Sequence, residues 1–168
     1  MSNLYIITGP AGVGKSTISR RIAESKNKSA LIEGDEIYHQ VVGGYVQAWK
    51  EGNHLDTFWK ICLSSIETYL EDGYDVIFNY IVNLENVELI KNKLKNHTIK
   101  FVVLVVDEKT LLLRDKERPE DCQMKERCIV LLNSFKNKNY NAQNILDTTN
   151  LSVNETIDII ENDNRFIL

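Results

Sequence analysis

The chain has 168 residues, 43% hydrophobic and 26% charged, with a formal net charge of −4. That length suits a single domain over residues 1–168 with a sizeable core, and the acidic balance argues against a nucleic-acid partner, which wants a clustered basic surface. No apolar run approaches the ~18 residues that a membrane span requires, and "MSNLYIITGP" has neither the basic leader nor the cleavable apolar stretch of a secretion signal, so the expectation is a cytoplasmic protein with no membrane partner.

In chain order, short β-rich runs alternate with longer amphipathic segments. "NLYIIT", "SALIE", "DVIFNYIV", "IKFVVLVV" and "NILDT" read as five strands. Helices are predicted over 15–25, 54–72, 84–96, 108–117 and 121–135, with a last one after Leu151. Gly73 in "EDGYD" suits a left-handed helix cap, and Ser152 with Glu155 three residues on reads as a capping box. Strand and helix in alternation, with continuous apolar strands, imply a mostly parallel sheet covered on both faces, a three-layer α/β/α sandwich. Cys62, Cys122 and Cys128 form no CxxC pair and read as ordinary thiols rather than a disulfide framework or a zinc site. The Asn/Lys-rich stretch "NSFKNKNYNAQN" reads as a solvated helix end and loop.

The most specific motif is "GPAGVGKS", which satisfies GxxxxGK[ST] between a predicted strand and a predicted helix. Gly9, Gly12 and Gly14 let the backbone turn tightly, with Pro10, Ala11 and Val13 completing the loop, so that several N–H groups face one concavity. Lys15 can reach the outer phosphates of a nucleoside triphosphate, Ser16 can ligate Mg²⁺, and Thr17 supports the loop. The Asn-Lys-x-Asp element of GTPases is absent, because "NKNY" lacks the aspartate, and the chain is too short for the sensor and lid subdomains of large motor ATPases. A small phosphotransferase remains.

"LIEGDEIY" then places Asp35 at the carboxyl end of the second strand, where ligands of open parallel sheets bind. A kinase acting on a hydroxyl needs a carboxylate there, either to accept the proton of the attacking oxygen or to orient it, and sometimes to hold magnesium through water. The competing reading of Asp35 is a helix N-cap. Glu33, one residue back, points to the opposite face and reads as a surface or supporting acid.

"IITGPAGVGKSTISRRIA" followed by "IEGDEIY" resembles the small-molecule kinases of the P-loop superfamily, the gluconate kinase-like, shikimate kinase-like and chloramphenicol phosphotransferase-like groups. The resemblance implies a five-stranded parallel core with the phosphate-loop strand central, ATP as donor with Mg²⁺, a mobile arginine-bearing lid, and Asp35 in the catalytic or acceptor-binding position. One departure stands out: many relatives end the third strand with an aspartate, whereas this chain has Asn79 and Tyr80, which become candidates for acceptor binding. Magnesium would then rest on Ser16, with Asp35 as the protein carboxylate.

The lid is expected at about 114–127, where "LLLRDKERPEDCQMKERC" holds three arginines and Pro119 breaks the helix. Arg118 and Arg127 are the candidates for stabilising charge on the transferred group; Arg114 is assigned near the adenine or the loop. Acceptor candidates include Tyr45, Trp49 and Trp59, with Lys50 or Lys60 as cations for an anionic acceptor. The reading is a kinase for a hydroxyl of a sugar acid, related metabolite or antibiotic, monomeric or homodimeric. A nucleoside or nucleotide kinase and a nucleotide-binding regulator with little transferase activity stand as alternatives.

Overall fold

The computed structural model describes residues 2–120 and 123–168. Its five strands are β1 Asn3–Thr8, β2 Ser29–Glu33, β3 Asp75–Asn79, β4 Thr98–Val105 and β5 Ile145–Asp147. They form one all-parallel sheet in the order β2-β3-β1-β4-β5. The helices are α1 Lys15–Ser25, α2 Gly34–Tyr38, α3 His54–Glu71, α4 Leu84–Lys93, α5 Glu108–Lys116, α6 Glu126–Lys136 and α7 Val153–Asn162.

Alternation along the strands explains the three layers. Leu4 and Ile6 of β1 point into a core completed by α3 and α4, where Phe58, Ile66, Leu70 and Ile90 are buried. Tyr5 and Ile7 point the other way, into a core shared with Ile18 and Ile22 of α1, Leu132 of α6 and Ile160 of α7. The chain thus has the P-loop NTPase α/β fold. Cys62 and Cys128 are buried and free, and burial pushes the Cys62 thiol up to about 12; Cys122 lies outside the described residues.

The two predicted helix signals are present. Gly73 has φ +79, its N–H bonds to Leu70 O at 3.0 Å and that of Tyr74 bonds to Tyr69 O at 2.9 Å, a Schellman ending to α3. Ser152 Oγ accepts from Glu155 N while Glu155 Oε2 accepts from Ser152 N. Some boundaries differ: α4 ends at Lys93 rather than at residue 96, and two further differences have a local cause. β3 stops at Asn79 rather than running to residue 82, because its neighbour β1 ends at Thr8, whose Oγ1 instead accepts from Val82 N at 2.9 Å. The helix predicted over 121–135 begins at Glu126. Lys125, in the left-handed region at φ +52, blocks any earlier helical start, and Asp121 lies outside the described residues.

Candidate active site

The carboxyl ends of the strands converge on one edge of the sheet. Asn79 is in register with both Ile7 and Glu33, so β3 delivers it between the start of the phosphate loop and the start of α2. A cavity of about 450 Å³ opens there. It is lined by loop residues Ala11 to Thr17, by Asp35 and Asn79, by Arg114 and Arg118 from the α5 side, and by Thr148, Leu151 and Val153 after β5.

The loop is wedged into place. Gly9 is buried against β4, and a Cβ there would run into the carbonyl oxygen of Leu104. Gly14, at φ +107, is the N-cap residue of α1, and no side chain among the described residues caps that helix. Its first-turn amides therefore keep their hydrogen-bonding capacity at the positive end of the helix dipole, which suits anionic oxygens. Lys15 Nζ donates to Pro10 O at 3.0 Å. By exposed area Lys15 is only half-buried, yet its ammonium is densely surrounded. That desolvation, countered by the Asp35 charge and reinforced by Arg118, pulls its pKa down to about 8. A cation held this way, hydrogen-bonded to a carbonyl and near the Asp35 charge but in no ion pair among the described residues, can take an added anion.

On the opposite wall Asn79 is buried, and its Nδ2 donates to Ser16 Oγ at 3.0 Å and, more loosely, to Glu33 Oε1 at 3.4 Å. Glu33 also pairs with Arg20 at 3.6 Å. The amide is thereby oriented with its NH₂ toward Ser16, and Glu33 is a supporting acid behind it. Asp35 sits in the first turn of α2, not at its cap, which is Glu33, so the N-cap reading of Asp35 does not hold. Its carboxylate has no hydrogen-bond partner among the described residues and opens into the cavity.

Gly34 has no room for a side chain: a Cβ would lie 2.5 Å from Cδ2 and 2.7 Å from Cγ of Tyr80. Tyr80 is itself buried, and that burial, followed by the nearby Asp35 charge, raises its phenol well above the ordinary value. Gly34→Ala should therefore displace the Tyr80 ring or tilt α2, with a loss of about 1–3 kcal/mol in denaturant unfolding. An unchanged unfolding midpoint would show that the contact gives way at no cost.

The arginines divide. Arg114 Nη1 donates to Val13 O at 2.9 Å and Thr148 Oγ1 at 3.2 Å, and Nη2 to Thr148 O at 3.1 Å, tying the phosphate loop to the end of β5. Arg118 lines the cavity and bonds Asp115 Oδ1 at 3.2 Å. Asp115 is buried and also accepts from the amides of Met124 and Lys125, at 3.0 and 2.7 Å to Oδ2. Burial alone would raise its pKa, but those amides and the Arg118 guanidinium outweigh it and hold the carboxyl below the usual range. Asp115 closes the base of the segment predicted as a lid and fixes where Arg118 leaves it. Arg127, predicted as the second lid arginine, is elsewhere: its guanidinium lies over the Trp49 ring at 4.9 Å.

Of the residues the sequence singles out, the cavity gathers Ala11 to Thr17, Asp35, Asn79, Arg114 and Arg118. Gly9, Pro10, Tyr80 and Arg127 stay outside its lining. Sequence reasoning missed Asp115, an acid hidden in a run of charges, and the wall at Thr148 to Val153. The position of "DTTN" after the last strand was the available signal for the latter.

Residues 6–145 match the family described as an AAA domain. The chain belongs to that AAA domain family. Among the curated proteins no match was found. Solved structures resemble this family member in fold over nearly its whole length. The tunicamycin resistance protein of Deinococcus radiodurans is 17% identical, with 95% of this chain and 94% of that one covered at a TM-score of 0.67. A sugar kinase from a Janibacter species is 12% identical, with 94% and 91% covered at 0.71. A gluconokinase from Sinorhizobium meliloti is 16% identical, with 94% and 89% covered at 0.65. At such identities the likeness speaks for the fold, a kinase-like P-loop fold. No helix among the described residues is long and apolar enough to cross a membrane.

Proposed function

We propose that this chain is an ATP- and Mg²⁺-dependent kinase that transfers the γ-phosphoryl group to a hydroxyl of a small molecule, a sugar acid, related metabolite or antibiotic. The observation that carries the reading is the unpartnered Asp35 carboxylate opening into the same cavity as Lys15 and Ser16. A carboxylate in that position can serve as base or orienter for an attacking hydroxyl, as transfer to an acceptor requires.

The residues fit a nucleotide with magnesium. The uncapped amides of α1 and the desolvated Lys15 ammonium suit the phosphates, and Leu151 and Val153 beside Arg114 offer an apolar wall for the base. Mg²⁺ would be held by Ser16 with Asp35, and when bound it supplies charge neutralisation on the phosphates. Among the described residues no three His, Cys, Asp or Glu side chains converge, a sparse donor set that suits an ion resting mainly on phosphate and water. In the transfer, Asp35 takes the proton of the acceptor hydroxyl as its oxygen bonds phosphorus and the bond to ADP breaks. Lys15 and Arg118 face the charge that gathers on the transferred group, and Asp115 keeps Arg118 in place.

The shifted Lys15 sets a pH dependence. With a free-state pKa of about 8, Lys15 is cationic below that pH and increasingly neutral above it, and only the cation pairs with phosphate. Affinity for Mg·ADP should be flat up to about pH 8 and then fall by up to tenfold per unit. Calorimetric titration across that range checks this. Lys15→Arg, charged throughout, should remove the break.

Acceptor-dependent ADP release from Mg·ATP tests the reading. The regulator alternative, which the Asn79 amide in place of a carboxylate favours, is excluded by any acceptor that speeds ATP consumption by orders of magnitude. Phosphorylation confined to nucleosides or monophosphates would select the nucleoside and nucleotide kinase alternative.

A further inference from the structure

Resting on that kinase reading, we infer that the acceptor is an uncharged alcohol with a planar or apolar body, received by the segment between α2 and α3. Residues 37–49 contain no Asp, Glu, Lys or Arg, in a chain where 26% of residues are charged. The segment continues directly from the helix turn that carries Asp35, and the Tyr38 hydroxyl donates to Val46 O, folding it back on itself. Tyr38 packs on Phe58 with ring centroids 5.5 Å apart, Phe58 packs on Tyr80 at 4.6 Å, and Tyr80 abuts Gly34 next to Asp35, so the segment and the carboxylate share one neighbourhood.

Ile37, Tyr38 and Ala48 pack into or against the core, but the rest of its apolar side chains are not spent on it. Val42 is 92% exposed and Trp49 67%, and Tyr45, also exposed, stacks on His39 with centroids 5.8 Å apart. Exposed apolar groups gathered beside a polar reactive group are the usual composition of a small-molecule subsite, with aromatic faces supplying the body of the pocket. An anionic acceptor would want a guanidinium fork or an ammonium turned toward it. Arg127, which reaches the segment, has its guanidinium over the Trp49 ring at 4.9 Å, and Lys50 and Lys60 are exposed to solvent. The surface selects against charge and for a ring or hydrocarbon.

The test titrates the full chain, loaded with Mg·ADP, with three probes: a neutral phenyl-substituted propanediol, adenosine and gluconate. Binding is read by calorimetry and by tryptophan fluorescence. At least one of the two neutral ring compounds should bind saturably and shift the fluorescence. Trp49→Phe should remove that shift, and Tyr45→Ala should weaken binding about tenfold or more; gluconate should not bind saturably. Gluconate binding more tightly than both, above all if Arg127→Ala abolishes it, would overturn the inference. So would failure of both neutral probes on a chain that does bind Mg·ADP, or a stable dimer dissociated by Val42→Asp, which would make the segment an interface between copies. Failure to bind Mg·ADP at all would sink the kinase reading itself, and this inference with it.

Discussion

Asp35→Asn is expected to bind Mg·ATP about as tightly as the parent chain and to lose roughly 10²–10⁴ in turnover, the usual contribution of a positioned general base. The substitution keeps the size of the side chain and its place in the first turn of α2. It breaks no internal hydrogen bond, because the carboxylate has no partner among the described residues. What it removes is the ability to take a proton and the negative charge facing Lys15. Since that charge supports the protonated form of Lys15, the asparagine variant should also move the break in nucleotide affinity to lower pH. Equal turnover in parent and variant, measured with the same acceptor, would take Asp35 out of the chemistry.

Lys15→Ala should weaken Mg·ATP binding by roughly a hundredfold or more, as expected for loss of charge-assisted contacts to phosphate in a desolvated loop. The same change should not destabilise the nucleotide-free chain. The pKa of Lys15 falls from an ordinary 10.5 to about 8 in the fold, so the fold tolerates the neutral form better than the charged one. The stability associated with this group is complete above pH 10.5 and is lost as pH falls through about 8, a deficit on the order of 3 kcal/mol at neutral pH. Removing the ammonium relieves that deficit, partly offset by lost packing of the side-chain stem. Thermal unfolding of the free protein should therefore show an equal or higher midpoint in the variant, with the nucleotide-induced rise abolished. A lower midpoint in the free variant would mean that the Pro10 contact matters more to the fold than the desolvation.

The sequence carried the scaffold well because its signals are local and periodic. Two-faced apolar strands such as β4 announce a covered parallel sheet, and the glycine spacing of the phosphate loop has one structural use. Placing Asp35 required only the rule that ligands gather at the carboxyl ends of parallel strands. What was not legible depends on contacts distant in sequence. The extent of β3 was set by where its neighbour β1 stops, and the start of α6 by the conformation of Lys125, whose amide Asp115 holds from ten positions away. Arg118 and Arg127 look alike as lid arginines in the sequence. One is directed to the cavity by Asp115 and the other is held by the Trp49 ring. The role of Glu33 turned on the same kind of contact, since only the register of β2 with β3 brings it behind Asn79.

If acceptor hydroxyl and nucleotide meet at Asp35, the most direct measurement is ADP release from Mg·ATP with and without acceptor. The acceptors are gluconate, shikimate, aminocyclitols, chloramphenicol-like alcohols, nucleosides and nucleoside monophosphates, each run on the parent chain and on Asp35→Asn. The expected result is that at least one acceptor raises ADP release by orders of magnitude in the parent, yields a phosphorylated product, and loses that stimulation in the variant. Slow release that no acceptor accelerates, identical in the two proteins, would contradict a meeting at Asp35 and leave a nucleotide-binding protein without transferase chemistry.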